Sequence, residues 1–134
     1  MALENSCQAV AIRVRYLQSM ILMINPEILV TLNEAVNTER LDELVADMRT
    51  HGWRDRPLLV IETESDFVAW TGSHRIAAAI EAGLTKVPCY VLAQSKLSSA
   101  EFKIGCGHLS NAERAEIIRR SGDRRAFEIM EQER

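Results

Sequence analysis

The sequence predicts an α+β fold, a small mixed β-sheet packed with helices and followed by a C-terminal helical pair. Three observations predict it. Pro57-Leu58-Leu59-Val60-Ile61 is an unbroken apolar run of strand length, the pattern of a central strand covered on both faces. Just upstream, Leu41, Leu44, Val45 and Met48 recur at i, i+3, i+4 and i+7, one face of a helix. Near the C-terminus, Ser110-Asn111-Ala112-Glu113 has the form of a capping box ahead of Ala115, Ile117 and Ile118.

Taken in order, residues 9–17 alternate, with Val10, Ile12, Val14 and Tyr16 on one side and Arg13 and Arg15 on the other. That predicts a half-buried strand. A second apolar run, Ile21 to Ile24, stops at Asn25-Pro26, and a hairpin between the two runs is one arrangement. Thr38 is placed to cap a helix expected over about Thr38 to His51 and stopped by Gly52. After the strand at 57–61, Thr63-Glu64-Ser65-Asp66 reads as a turn and Phe67-Val68-Ala69-Trp70 as the returning strand.

Thr71-Gly72-Ser73 is then a tight loop opening into a helix with Ile76, Ala79 and Ile80 as its apolar stripe, ended by Gly83. Val87 to Leu92 is a further strand, with Pro88 near its start. In the tail, Ser121-Gly122 separates the helix at 110 from a last one bearing Ala126, Phe127, Ile129 and Met130. Leu41, Leu44, Met48, Leu59, Ile61, Ile76, Ile80 and Val91 are expected in one core. Residues 1–97 form that core unit, and 98–134 a helical extension of the same compact body.

Composition agrees. The chain has 134 residues, 16 Lys+Arg against 19 Asp+Glu, and 47% apolar residues, which suits one domain and excludes a wholly disordered or fibrous chain. A net charge of −3 argues against a protein that coats DNA with basic surface. Cys7, Cys89 and Cys106 are odd in number and unpaired in spacing, so reduced thiols and a cytoplasmic setting are expected. No apolar stretch reaches the ~18 residues of a membrane span, and Glu4 and Asn5 stand where a signal peptide carries basic residues.

The chemistry concentrates in Trp70-Thr71-Gly72-Ser73-His74-Arg75. A strand ends, a glycine permits a sharp turn, and a helix begins with free amides directed at the loop, a setting that attracts anions. His74 and Arg75 are cations in a first turn, where they oppose the dipole; a bound phosphate supplies the reason for them. The alternative at this point is that Ser73 is only a cap and Arg75 only a solvated side chain.

Gly72-Ser73-His74-Arg75 followed by Ile76-Ala77-Ala78-Ala79, Ala82-Gly83-Leu84 and Val87-Pro88-Cys89-Tyr90-Val91 resembles the ParB/sulfiredoxin superfamily. Its domains carry a Gly-x-x-Arg loop, an alanine-rich helix, Ala-Gly, and a strand opening on Val-Pro. The resemblance covers roughly residues 21–93. It implies a nucleotide-phosphate site at Thr71, Gly72, Ser73, His74 and Arg75 for CTP or ATP, with Mg²⁺ accompanying the nucleotide. The activities it implies are weak nucleotide hydrolysis or phosphotransfer to a small molecule. Stand-alone members of this size are expected in phage or mobile elements.

The departures from the family pattern sort its branches. Sulfiredoxin carries its catalytic cysteine where this chain has Ser73, so sulfinic-acid reduction is not expected. ParB clamps continue into a Glu-Asn-x-x-Arg segment and a helix-turn-helix domain, where this chain reads Gly105-Cys106-Gly107-His108. The stretch from Ser110 to Arg134 balances six arginines against six acids, so it is no basic arm. Its apolar side is expected to hold a protein partner or a second copy, and a DNA contact through Arg119 or Arg120 stays open. The alternative function is a catalytically silent regulatory module acting on DNA or a protein through these helices.

A phosphotransfer branch needs an acid near the loop. Glu39 matches where such relatives place a catalytic glutamate, with Glu34 and Glu43 as weaker candidates; equally, Glu39 suits a helix start electrostatically. Cys106 and His108, even with His51, fall short of the four ligands of a structural zinc site, and no metal site is expected. Trp53 and Trp70 are expected in the core or pocket wall, Trp70 within reach of a base.

Overall fold

A computed structural model describes residues 20–133, and the strand expected at residues 9–17 lies outside them. Five strands form one mixed sheet: β1 (Met20–Ile24), β2 (Leu29–Thr31), β3 (Leu58–Glu62), β4 (Phe67–Ala69) and β5 (Val87–Ala93). Five helices accompany it: α1 (Thr38–His51), α2 (Ser73–Glu81), α3 (Ser99–Gly105), α4 (Asn111–Ser121) and α5 (Arg124–Gln132). The fold is α+β, as the sequence predicts.

The strand order is β1-β5-β3-β4-β2. β3 runs parallel to β5 and antiparallel to β4, while β1 lies antiparallel to β5 and β2 parallel to β4. β1 and β2 hold opposite edges, although only Asn25 and a 3-10 turn, Pro26–Ile28, separate them in the chain.

All five residues of β3 are buried, because helices cover both faces of the sheet. Alternation along the strands divides the core in two. Leu58 and Val60 of β3 and Val87, Cys89 and Val91 of β5 join Val45, Met48 and Ile76 on the face under α1 and α2. Leu59, Ile61, Tyr90 and Leu92 turn the other way to meet Ile117, Ile118, Ile129 and Met130 of α4 and α5. The single core expected from the sequence is therefore two cores, since period-two side chains on a central strand point to opposite faces. Ile80, expected inside, is 41% exposed.

The C-terminal pair differs from expectation in one respect. Its apolar side is used up against the sheet, with Ala126 and Met130 fully buried. What α4 and α5 present outward is their polar side, so the apolar side is not what a partner would meet.

Sequence reading passed over β2 and α3. α3 starts on a full capping box in which Ser98 accepts from the Glu101 amide and Glu101 accepts from the Ser98 amide. The box at Ser110 and Glu113 is present as predicted. α1 spans Thr38–His51 as expected, but its cap is Asn37 and not Thr38: the Asn37 side chain accepts the Arg40 amide at 3.0 Å, and Thr38 is the first helical residue. Among the described residues no helix is long and apolar enough to cross a membrane.

Candidate functional site

The loop between β4 and α2 is anchored to the buried strand beside it. Trp70 N–H donates to the Leu59 carbonyl at 2.9 Å, and the Leu59 N–H donates to Thr71 Oγ1 at 3.0 Å. The buried Thr71 hydroxyl thus stands in for a backbone carbonyl and prolongs the β3–β4 pairing past the end of β4. Gly72 follows with φ 78° and ψ 36°, in the left-handed region. A side chain there would overlap Leu58 and crowd the Arg75 guanidinium, so both the dihedral and the space require glycine.

α2 starts from this turn with Gly72 as its cap residue, Ser73 being the first helical position and not the cap expected of it. No side chain caps the helix, and its first turn carries no acid. The other four helices are each closed by a side chain, from Asn37, Ser98, Ser110 and Asp123. The leading amides of α2 therefore stay open toward the loop.

These amides face a cleft of about 210 Å³. Thr71, Gly72, Ser73, His74 and Arg75 all line it, so the structure brings the five predicted binding residues together. Its other walls come from Leu32, Asn33 and Glu34 after β2, from Arg40 of α1, and from Asn111, Arg114 and Glu133 of the C-terminal helices. Glu39 is exposed on the first turn of α1 and does not line the cleft; Glu34, the weaker candidate, does.

His74 ties two helix starts together. Its Nε2 accepts the Asn37 N–H at 3.1 Å, which in the neutral ring leaves the hydrogen on Nδ1. Arg75 is not a solvated side chain. It is 2% exposed, donates to the Arg56 carbonyl at 3.0 Å, pairs with Glu133, and lies 3.8 Å from Asp55. Burial lowers its pKa from the ordinary guanidinium value, and the Glu133 carboxylate acts in the opposite direction.

Glu133 also accepts from Arg56 Nε at 3.1 Å, and its backbone carbonyl accepts from Asn111 Nδ2 at 3.0 Å. Arg114, equally buried, donates from Nε to the Gly105 carbonyl at 2.8 Å and from its terminal nitrogen to Gly107 at 2.9 Å. Burial lowers its pKa too.

Arg40, Arg114 and Glu133 escaped sequence reading. A signal existed for two of them. Arg114 lies three and four residues before Ile117 and Ile118, and Glu133 four and three after Ile129 and Met130. A charge in phase with an apolar stripe is directed inward.

Of the remaining candidates, Trp70 lines the cleft, as expected of a pocket wall. Its ring is nonetheless buried on the second face, stacked on Phe102 with centroids 6.4 Å apart and pressed against Gly105, so it offers no open face to a base. Cys106 sits beside it, its thiol pKa raised by burial. Among the described residues no group of three or more His, Cys, Asp or Glu side chains is placed to hold a metal ion.

Residues 9–106 match the family described as the ParB N-terminal domain. Among solved structures, a C-terminally truncated chromosome-partitioning ParB from Caulobacter crescentus, complexed with CTP-γ-S, is 24% identical. The match has a TM-score of 0.51 and covers 72% of this chain and 59% of that one. Sulfiredoxin from Arabidopsis thaliana is 22% identical, with a TM-score of 0.49 over 57% of this chain and 90% of its own. A comparison with curated proteins gave no match.

Proposed function

Because this chain belongs to the ParB N-terminal domain family, we propose that its cleft binds the phosphates of a nucleotide, CTP or ATP. The observation that carries the reading is the uncapped start of α2 at Gly72, Ser73 and His74. It opens into a cleft walled by Arg40, Arg75 and Arg114 against the two carboxylates Glu34 and Glu133. Open amides with guanidinium groups around them make a phosphate-binding setting. The ParB neighbour's complex with CTP-γ-S puts CTP first among the candidates.

The cleft's volume, about 210 Å³, is below the ~300–1,000 Å³ of a site that encloses a whole small ligand. It suits a polyphosphate, with sugar and base at the mouth. Mg²⁺ is commonly held by one or two carboxylates together with substrate phosphates, and Glu34 is the carboxylate lining the cleft that makes no ion pair among the described residues. If hydrolysis or phosphotransfer occurs, Glu34 is better placed than Glu39 to serve it.

Calorimetric titration with CTP, ATP and GTP, with and without Mg²⁺, tests this. Binding of CTP or ATP that weakens as salt rises is expected. Arg40→Ala should weaken it by ~1.5–3 kcal/mol, the scale of a hydrogen bond to a charged group. Absence of binding to all three nucleotides overturns the reading in favour of a silent regulatory module.

A further inference from the structure

Arg75 is the arginine of the Gly-x-x-Arg loop, and it is already occupied. Its guanidinium is 2% exposed, with one terminal nitrogen on the Arg56 carbonyl and the other on Glu133. Its Nε and second terminal nitrogen lie under Gly72, against the loop. The fork therefore has no solvent-facing edge to offer an incoming anion. The group covering it is a carboxylate with a side chain only 9% exposed, and a carboxylate and a phosphate oxygen demand the same donors.

We propose that Glu133 is a built-in competitor for the cleft: its carboxylate holds the place on Arg75 that a phosphate of the ligand takes, so binding and release of the α5 end are coupled. This rests on the phosphate-binding reading above. Glu133 lies beyond the residues matched to the family, 9–106, so the family match itself does not supply the competitor.

What moves is set by what Glu133 holds. Besides Arg75, its carboxylate pairs with Arg56 at 3.0 Å, and its carbonyl takes the Asn111 amide. Displacing the carboxylate removes both ion pairs that bind the end of α5 to the strand side of the cleft. Because coupling is reciprocal, any partner that draws the α5 end away raises the affinity for phosphate by the same factor that phosphate raises the partner's.

The test uses inorganic tripolyphosphate as the probe, titrated calorimetrically into the whole chain and into Glu133→Gln. Glutamine keeps the size and removes the charge, and about tenfold tighter binding is expected, within the 5- to 150-fold range of coupled sites. Equal or weaker binding by a variant that melts like the parent overturns the competitor while leaving the phosphate site standing. Absence of binding to both proteins overturns the site and the competitor together. Should Glu133→Gln fail to fold, hydrogen exchange on the parent decides. Amides of residues 126–133 should lose protection when tripolyphosphate saturates the cleft, and unchanged or increased protection overturns the proposal.

Discussion

Arg75 lies over the face of Trp53, its Cζ 5.5 Å from the ring centroid. The indole covers the flat side of the guanidinium while Asp55, Arg56 and Glu133 meet its edge. An arginine so enclosed is part of the packed interior as well as of the cleft. Anchors from three regions, the 53–56 segment, the start of α2 and the end of α5, converge on one side chain.

The first prediction reverses what the loop sequence suggests for Arg75. Seen only as a cation in a first turn, it should be neutral or slightly unfavourable to folding. In the folded chain its removal leaves the Glu133 carboxylate among fewer partners and opens space over Trp53. Arg75→Ala should cost ~3–5 kcal/mol, the scale of breaking one side of a buried pair, measured by urea denaturation. A loss under about 1 kcal/mol would mean that Arg56 alone satisfies Glu133.

The second concerns the two cores. Leu59 is wholly buried and faces α4 and α5, whereas Leu44 is half-buried on α1 at the opposite face. Leu59→Ala should cost ~3–5 kcal/mol and Leu44→Ala ~1–3 kcal/mol. The double variant should lose the sum within about 0.5 kcal/mol, because the sites share no partner. Marked non-additivity in chemical denaturation would show that the sheet transmits strain between its faces.

The third uses the capping boxes. Amide donation from Ser98 and Ser110 lowers the Glu101 and Glu113 carboxyl pKa values below their ordinary value. A group depressed on folding stabilises above its unfolded pKa, near 4.3 for glutamate, and that contribution is lost as pH falls through the folded value. Acidification from pH 5 to pH 3 should therefore lower the thermal midpoint of the parent more than that of a Glu101→Gln, Glu113→Gln variant. Parallel curves would show that the boxes contribute nothing through charge.

How much of this was legible in the sequence depends on range. β3, α1 and the box at Ser110 announce themselves through local periodicity, and the Gly72 turn through the glycine between strand and helix. Ser98 and Glu101 have the same spacing as Ser110 and Glu113, but α3 spans only Ser99–Gly105, too short to display a stripe. β2 is three residues long, below the length at which alternation can be seen. Ile80 completes α2's stripe in the sequence, yet Ile76, Ala78 and Ala79 are the residues the core takes in, and Ile80 is left at the exposed edge of that stripe. The third wall of the cleft was hidden for a different reason: Glu133 meets Arg75 across 58 positions, and no local pattern carries such a pairing.

The short connection between β1 and β2 dictates the curvature of the whole sheet. Ile24 stands level with Val87 at the start of β5, while Leu29 stands level, through Phe67 and Glu62, with Ala93 at its end. In a flat sheet the four intervals from edge to edge span ~19 Å sideways, with a further ~20 Å along the strands. Five residue steps from Ile24 to Leu29 reach ~17 Å at full extension. The diagonal corners must therefore bend toward one another, beyond what ordinary twist between neighbours supplies, and the buried ring of Pro26 sits in the strap that draws them in. The sheet is thereby drawn into a curl, its two edges tethered to one another through the strap.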